Sequence, residues 1–493
     1  MKISLSRFKA TDNETVVLPL FKDNEKFLNN IEKNVFKKIK EANKFNSEYG
    51  EIYNYNFLDN DKLKRILFLG LGKEEKITLN KIRKLMSKLL ETVKRDKDDN
   101  VYLDLIKTEY LNSEELYMAI IEGLMLSDYS FDKYKSKAKT KNEEVNFTLG
   151  NIEEYKMEKI NEIYYDTLDS VNFNYVARDL VNEPANFMTP EKLASVVKEY
   201  STKYGFEADI FEENKIKDLD MKAFLSVSMG SELKPKLIVM RYFGDKENKD
   251  DILGLVGKGL TYDSGGYSIK TSEGMKTMKS DMGGAAAVIG AMSAISKRKL
   301  KINVISVVAS CENMISGKAY RPGDIIGSMS GKTIEVLNTD AEGRLTLADA
   351  VYYAVNNEKV TKIVDVATLT GAATITLGTV ATAALTNDDK LFSSLNKAGK
   401  LTGEKVWQLP IYDEYKEEFK SKIADLKNVG SRAAGTITAG LFIKEFIENS
   451  VPWIHLDIAS TSWSDSKKDY YSVGGTGVGV RLLYNFAKNL IKK

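Results

Sequence analysis

The chain has 493 residues, of which 43% are hydrophobic and 29% charged, and its formal net charge is +2. This length predicts two or three domains, and the balanced charge argues against a general nucleic-acid binder. The single cysteine, Cys311, excludes an internal disulfide, and the single histidine, His455, nearly excludes a histidine-based metal site.

The composition also predicts where the protein resides. Residues 1–9 lack the uninterrupted apolar core of an export signal, and no stretch approaches the roughly 18 apolar residues of a membrane span. A lone cysteine fits a reducing compartment. The expectation is therefore a cytoplasmic protein with no membrane partner.

The first part of the chain alternates short apolar runs with amphipathic ones. Runs of this kind predict strands at 14–20, 66–71 and 101–106. Helices are predicted at 79–93 and 113–126, the second with Asn112 and Glu115 spaced as a capping box. Residues 1–150 are therefore expected to form a small α/β domain.

Two segments follow this domain. Residues 132–141 contain a lysine run, which is interpreted as a solvated loop in preference to a binding patch. Residues 153–181 show a long helical pattern, which Asn182-Glu183-Pro184-Ala185-Asn186 brings to an end. Residues 151–181 are predicted to connect the N-terminal domain to a catalytic domain at 182–493.

Beyond the connector, apolar strands alternate with helices. Strands are predicted at 252–257, 302–309, 333–337, 363–367 and 454–458, and helices at 282–297, 345–355, 437–448 and 479–492. This alternation predicts a central mixed sheet with helices on both faces. The fold class is therefore α/β, with two domains.

Polar residues concentrate in three segments, at 256–270, 278–284 and 338–345. The last is the octapeptide Asn338-Thr339-Asp340-Ala341-Glu342-Gly343-Arg344-Leu345, which places two carboxylates and a guanidinium at alternate positions. If 333–337 is a strand, these side chains meet at the rim of a sheet, where α/β proteins bind ligands. Two oxygen ligands beside a fixed cation suit a divalent metal and an anionic reaction centre.

Each of these residues also has an ordinary interpretation when it is taken alone. Asp340 and Glu342 could stabilise a helix N-terminus, Lys258 could lie on the surface, and Asp281 could be an N-cap. Seven such polar positions within the 87 residues from Lys258 to Arg344 make a joint functional role the stronger hypothesis.

These segments closely resemble the leucyl aminopeptidase family of dinuclear metallopeptidases. The resemblance covers about residues 175–490 and extends to the segments at 182–190, 322–324, 367–372 and 455–459. It implies two divalent metal ions, Mn²⁺ or Zn²⁺, in each subunit. Their implied ligands are the side chains of Lys258, Asp263, Asp281, Asp340 and Glu342, with the Asp340 carbonyl and with Asp263 and Glu342 as bridges.

The resemblance also implies a mechanism in which a metal-bridged hydroxide attacks the peptide. Lys258 would ligate as a neutral amine, and Lys270 would stabilise the oxyanion as an ammonium. A bicarbonate ion bound by Arg344 would be the base, since His455 lies in an apolar strand where a packed role is favoured. The first side chain of the substrate would contact Met278, Thr368, Gly371 and Ala459.

The function expected from this resemblance is removal of N-terminal leucine and other apolar residues from peptides, by a homohexamer. A dipeptidase of the same family that prefers cysteinyl-glycine would carry the same motifs. A protein that uses this scaffold to bind DNA or another partner is the less favoured alternative, because only the lysine run supports it.

Overall fold

The computed structural model describes residues 1–8, 15–22, 30–59, 61–136, 144–448 and 450–491. Its contacts divide the chain into Met1–Val171 with Lys467–Ser472, and Asn172–Ser466 with Val473–Lys493. These are called the N-terminal and C-terminal units. The division falls inside a helix, so the domain limits predicted at 150 and 181 stay a prediction. The second half of the predicted lysine loop lies outside the described residues.

The N-terminal unit is built on a six-stranded sheet in the order β1-β6-β5-β2-β4-β3. Neighbouring strands are parallel except for β3 and β4. The strands are β1 (Lys2–Leu5), β2 (Thr15–Phe21), β3 (Ile52–Asp59), β4 (Lys62–Gly72), β5 (Asn100–Leu103) and β6 (Asn146–Leu149). The helices are α1 (Asn30–Glu41), α2 (Leu79–Asp96), α3 (Ser113–Asp128) and the start of α4 (Met157–Asn182).

Local sequence explains where the helices of this unit begin. The Thr78 side chain accepts a hydrogen bond from the Lys81 amide and caps α2. The Asn112 side chain accepts from the amides of Glu114 and Glu115, so the cap predicted for α3 is confirmed. The helices bury their apolar faces against the sheet, and the predicted N-terminal α/β fold is confirmed.

The C-terminal unit contains an eight-stranded sheet in the order β15-β14-β17-β13-β9-β10-β8-β7. Its strands are β7 (Glu207–Phe211), β8 (Lys236–Phe243), β9 (Ile252–Asp263), β10 (Asn303–Asn313), β13 (Lys362–Ala367), β14 (Thr382–Thr386), β15 (Val406–Gln408) and β17 (Trp453–Asp457). The central strands β17, β13, β9 and β10 are mutually parallel, and antiparallel pairs flank them. The carboxyl ends of these four strands therefore meet at one edge.

Helices cover both faces of this sheet. They are the end of α4, α5 (Pro190–Tyr204), α6 (Glu213–Asp218), α7 (Lys222–Ser228), α8 (Ser272–Met275), α9 (Gly283–Lys297), α10 (Gly343–Asn356), α11 (Gly371–Leu377), α12 (Asp389–Thr402), α13 (Gly435–Lys444) and α14 (Val480–Leu490). The neighbours Leu255 and Val256 of β9 belong to different core clusters, one on each face. The predicted mixed sheet between helical layers is confirmed. Among the helices of the described ranges, none has both the length and the apolar character that crossing a bilayer requires.

One predicted strand lies elsewhere than in the central sheet. Residues 333–337 contain only the short strand β12 (Ile334–Glu335), which pairs with β11 (Ile325–Ile326) and β16 (Leu426–Lys427) in a separate small sheet. A strand is present within the predicted range, but its predicted place in the central sheet was wrong. The apolar run is short, and its last residue, Leu337, is 43% exposed. A second small sheet pairs β18 (Trp463–Ser464) with β19 (Gly474–Gly475).

Candidate metal centre

Polar side chains gather at the edge of the C-terminal sheet where the parallel strands end. Asp263 is the last residue of β9, Asn313 the last of β10 and Asp457 the last of β17, while Thr368 directly follows β13. Carboxyl ends of parallel strands are the usual ligand-binding edge of an α/β sheet. The segment containing Asp340 comes to this edge through a turn that leads into α10, and not through a strand of the central sheet.

Three of the predicted metal ligands form a tight carboxylate group. Asp263, Asp340 and Glu342 each offer an oxygen, and these oxygens all lie within 4.8 Å of one another. Asp263 and Glu342 are buried and Asp340 is half-buried. Clustered carboxylates that are shielded from water repel one another strongly unless cations neutralise them.

Lys258 links the fourth predicted carboxylate to this group. Its Nζ lies 2.8 Å from Asp281 Oδ1 and 2.8 Å from Glu342 Oε1, and it donates to the Thr368 carbonyl oxygen at 3.0 Å. Burial lowers the pKa of Lys258, but the Asp281 and Glu342 carboxylates outweigh burial and raise that pKa above its ordinary value. The Lys258 Nζ thus lies between two carboxylates that favour its charged form.

A glycine makes room for this lysine. A Cβ atom placed on Gly343 would lie 2.4 Å from Lys258 Cε and 2.7 Å from Lys258 Nζ. Any side chain at position 343 would therefore displace the lysine from the carboxylates. The glycine of the octapeptide has a packing role that the sequence pattern alone did not identify.

Lys270 pairs with the other side of the carboxylate group. Its Nζ lies 2.9 Å from Asp263 Oδ2 and 2.5 Å from Asp340 Oδ1. Burial lowers the pKa of Lys270, but Asp263 and the neighbouring carboxylates raise it above its ordinary value. The Lys270 side chain is 18% exposed, so it is partly open to solvent.

The carboxylates retain acceptor atoms that the protein does not satisfy. Asp281 Oδ2 and Glu342 Oε2 are buried and have no hydrogen-bond partner. Burial and repulsion by Asp263 raise the pKa of Glu342 to about 8, and burial raises that of Asp281 to about 6. Buried oxygens that are costly to ionise and lack donors fit divalent cations, which prefer hard oxygen ligands. The residues present therefore suit the implied metals.

Arg344 lies in the first turn of α10 and is 8% exposed. Its Nη1 donates to the Asn428 carbonyl oxygen at 2.8 Å, whereas its buried Nε has no partner. Burial lowers the pKa of this guanidinium to about 10, although Glu342 and Asp457 oppose the change. A buried cation with an unused donor is suited to bind a small anion.

Comparison with known proteins assigns this arrangement of residues to a family. The family model described as "Cytosol aminopeptidase family, catalytic domain" matches residues 175–484, and the one for the N-terminal domain of the same family matches residues 17–138. The chain belongs to the cytosol aminopeptidase family. The resemblance inferred from the three polar segments is thereby confirmed.

The relatives match this chain along almost its whole length. A probable cytosol aminopeptidase of Clostridium perfringens is 53% identical over 492 residues, 99% of each chain. One of Clostridium tetani is 46% identical over 484 residues, 98% of each chain. Among solved structures, the bottromycin maturation enzyme BotP in complex with Mn is 29% identical with a TM-score of 0.86, and the match covers 97% of this chain and 100% of BotP.

The four predicted substrate-contacting residues come from three segments of the chain, at 278, at 368–371 and at 459. Thr368 donates from Oγ1 to Asp281 Oδ1 at 2.8 Å, which places it beside the predicted ligands. Met278 and Ala459 are half-buried, and Gly371 is exposed at the first position of α11. A Cβ atom on Gly371 would meet nothing within 4 Å, so open space adjoins this residue.

Sequence reasoning missed residues that hold the predicted ligands in place. Asn313 donates from Nδ2 to Asp263 Oδ1 at 2.8 Å and to the Thr339 carbonyl oxygen at 3.0 Å. Tyr320 donates to the same carbonyl at 2.8 Å. Both residues therefore fix the turn before Asp340. The position of Asn313 at the end of an apolar strand beside β9 was the signal that could have identified it.

Asp457 has a similar role for the loop after β13. Its Oδ1 accepts from the amides of Leu369 and Ala459 at 3.1 Å, and its Oδ2 accepts from Thr370 Oγ1 at 2.6 Å. One buried carboxylate thus joins two segments of the predicted substrate pocket. The sequence contained this aspartate in a recognised segment, but nothing there indicated which amides it would bind.

Two other interpretations can be compared with the geometry. His455 is fully buried, and its Nδ1 lies 2.5 Å from Asp365 Oδ1, so its predicted packed and hydrogen-bonded role is confirmed. Asp281 is not an N-cap: α9 begins after Met282 with no side-chain cap. The Asp281 carboxylate turns instead towards Lys258 and Thr368, because those partners are charged or hydroxyl donors.

Proposed function

We propose that this chain is a dinuclear metal aminopeptidase that releases apolar N-terminal residues, leucine foremost, from unblocked peptides. Membership of the cytosol aminopeptidase family supports the coarser statement, a metal-dependent aminopeptidase. The observation that supports the dinuclear metal site is the convergence of the Asp263, Asp340 and Glu342 carboxylates. Buried oxygens of Glu342 and Asp281 without hydrogen-bond partners lie beside them.

In this proposal Lys258, Asp263, Asp281 and Glu342 hold one ion, and Asp263, Asp340 and Glu342 hold the other. When bound, the two ions supply Lewis acidity and an activated water. Lys258 must lose its proton to become a ligand, because an ammonium has no lone pair. Manganese is the first metal to test, since the related BotP was solved with Mn, and zinc is the second.

Lys270 is proposed to donate to the carbonyl oxygen of the bond that is cleaved. Its ammonium is partly exposed and is kept protonated by Asp263 and Asp340. As the carbonyl carbon becomes tetrahedral, negative charge collects on that oxygen, and a preorganised cation stabilises the charge. The carboxylates would orient Lys270 without neutralising it through proton transfer.

Arg344 is proposed to bind bicarbonate, which would supply a base that the protein side chains lack. The buried Nε without a partner supports this role, and a guanidinium matches a planar anion in two-point geometry. Arg344 itself would orient the anion and would keep its own proton, because even its lowered pKa lies near 10.

The first side chain of the substrate is proposed to lie against Met278, Thr368, Gly371 and Ala459. These residues offer a thioether, a methyl-bearing threonine and two small residues, so the walls are largely apolar. Burial of a leucine side chain on such walls contributes about 1.5–3 kcal/mol. The pocket therefore favours leucine and methionine over charged residues.

A homohexamer in the cytoplasm is proposed from the family resemblance. The C-terminal unit supports an interface between subunits, since Ile375, Val380 and Trp407 are 81%, 58% and 64% exposed. An apolar groove of about 400 Å³ beside them is lined by Leu377, Val380 and Trp407, among others. Exposed apolar surface of this kind is typical of association sites.

A release assay after metal removal tests the proposed function. Chelated protein would be loaded separately with Mn²⁺ or Zn²⁺ and given leucyl-glycine, cysteinyl-glycine, lysyl-glycine and N-acetyl-leucyl-glycine. We expect release from the leucyl peptide, little from the lysyl one and none from the acetylated one. Preference for cysteinyl-glycine would indicate the dipeptidase, and an inert fully metallated protein would refute the proposal.

A further inference from the structure

Two segments that are proposed to contact the first side chain of the substrate separate at the ends of β13 and β17. Ala367 and Asp457 are paired in these parallel strands, and the Ile458 amide donates to the Ala367 carbonyl oxygen at 2.8 Å. Beyond this bond the chain leaves the sheet as the segments 368–371 and 459–462. Backbone amides that leave a sheet without facing water need other acceptors.

The Asp457 side chain supplies an acceptor to both segments. Its Oδ1 accepts from the amides of Leu369 and Ala459 at 3.1 Å each, and from the Thr370 amide at 3.4 Å. Asp457 is fully buried, so solvent does not compete for these donors. Because one oxygen atom binds amides of both segments, it limits the distance between them.

A chain of hydroxyl groups extends this connection to α13. Thr370 Oγ1 donates to Asp457 Oδ2 at 2.6 Å and lies 3.0 Å from Thr436 Oγ1, in the first turn of α13. A hydroxyl has one proton, so Thr370 accepts from Thr436 while it donates to Asp457. Thr370 Oγ1 also accepts from the Ala373 amide and caps α11, which begins at Gly371. Together, the bonds of Asp457 and Thr370 are called the Asp457 tether.

The helix at the end of this tether has little other support. Of the seven residues of α11, Ala373 is the buried one, and Ile375 is 81% exposed. Burial of apolar side chains is what normally fixes a short helix in place. The position of Gly371, and of Thr368 before it, therefore depends strongly on the tether.

We propose that Asp457 is a positioning residue that sets the width of the pocket for the first side chain of the substrate. It would thereby set the preference for leucine over smaller residues. This role rests on the proposed function, whereas the tether rests on the hydrogen bonds alone. A pocket of fixed width gains from each methyl group that fills it, but a pocket that can widen loses contacts around leucine.

Hydrogen exchange of the full-length chain, followed by mass spectrometry, tests the tether. Asp457→Ala should raise the exchange rate in both 368–373 and 458–462 by at least about tenfold. Thr370→Val removes the hydroxyl alone, so faster exchange should be confined to 368–373, because Oδ1 still accepts from Ala459. Asp457→Asn should stay near the wild type, since its oxygen can accept from the amides and its amide group can donate to Thr370.

Asp349→Ala is the matched control for loss of a buried carboxylate. Asp349 is equally buried and accepts from the amides of Phe224 and Met329. Its loss should destabilise the fold without faster exchange in either tethered segment.

The ratio of kcat/KM for leucyl-glycine to that for alanyl-glycine tests the effect on the pocket. Asp457→Ala should lower this ratio roughly tenfold, and Thr370→Val should lower it less. Asp457→Asn and Asp349→Ala should keep the ratio within about twofold of the wild-type value. Metal loading and the groups that act on the peptide bond are common to both peptides, so changes in them cancel in the ratio.

The outcomes separate the tether, the specificity and the proposed function. Wild-type exchange rates in both segments of Asp457→Ala overturn the tether; if that variant does not fold, wild-type exchange at 368–373 in Thr370→Val does so. Faster exchange with an unchanged ratio overturns the role in specificity. A wild-type chain that releases neither residue refutes the proposed function and the role in specificity with it, whereas the exchange rates still decide the tether.

Discussion

The two units place different chemistry at the same kind of edge, the carboxyl ends of parallel strands. In the C-terminal unit, the strand ends carry Asp263, Asn313 and Asp457, with buried charge and unpartnered oxygens close by. In the N-terminal unit, β5 and β6 end beside a cavity with mainly aliphatic walls. Tyr117 lines this cavity, and its buried hydroxyl has no hydrogen-bond partner. A set of charged residues is visible in the sequence as a pattern of residue types, whereas a cavity with apolar walls has no such pattern.

The largest effect should come from removing a member of the carboxylate group. Asp340→Ala is expected to abolish metal loading at one position and to lower kcat/KM by at least about 10³-fold, roughly 4 kcal/mol. Metal content by atomic emission and leucyl-peptide turnover measure the two effects. Asp413→Ala is the control, since Asp413 is 90% exposed and pairs with Lys416 at 2.9 Å.

Retained turnover in Asp340→Ala would break the comparison, because the charged edge would then not be the reaction centre.

Lys270→Ala should have the next largest effect, and this effect should be a decrease in kcat. Loss of one oxyanion donor lowers kcat by about 10²–10³-fold, with little change in KM. Steady-state kinetics on a leucyl chromogenic amide separates the two constants. Lys276→Ala is the matched control, because Lys276 is an exposed lysine that pairs with Glu273. Equal losses in kcat and in affinity would contradict the oxyanion role.

Arg344→Ala is expected to lower turnover while two metals per chain remain bound. Arg344 contacts the Asn428 carbonyl and not the carboxylate group, so its loss leaves the metal ligands in place. A decrease of about 10²-fold is expected for loss of a positioned base. Arg344→Lys should restore little, because an ammonium cannot reproduce the two-point geometry. Metal loss in Arg344→Ala would instead assign this residue a structural role.

Most of the catalytic fold could be predicted because it depends on local patterns. Apolar strands followed by glycine-rich polar turns identified the three polar segments, whereas the ligand roles of Asp263, Asp281, Asp340 and Glu342 within them follow from the family resemblance and stay a prediction. Residues 333–337 were misplaced because strand pairing depends on partners about 90 residues away, such as Leu426. Asn313 was missed for the same reason, because its role depends on a hydrogen bond to Asp263, which is 50 residues away in the sequence.

Asn313→Ala tests the contribution of a residue that positions a predicted metal ligand in the C-terminal unit. The change leaves Asp263 Oδ1 and the Thr339 carbonyl without a shared donor, so metal affinity should fall about 10–100-fold. Calorimetric titration of the chelated protein with Mn²⁺ measures it. Asn303→Ala is the control, because Asn303 is a buried asparagine at the other end of the same strand. Equal affinity loss in both variants would indicate general destabilisation.

The smallest expected effect concerns the N-terminal unit. Asn112 caps α3, the helix that carries Tyr117, by accepting from the amides of Glu114 and Glu115. Asn112→Ala should lower the free energy of unfolding by about 1 kcal/mol, and Asn112→Asp should retain the cap. Thermal unfolding measures this change, and leucyl-peptide turnover should stay at the wild-type level. A large loss of turnover in Asn112→Ala would show that α3 influences catalysis, and the separation of the two edges would then fail.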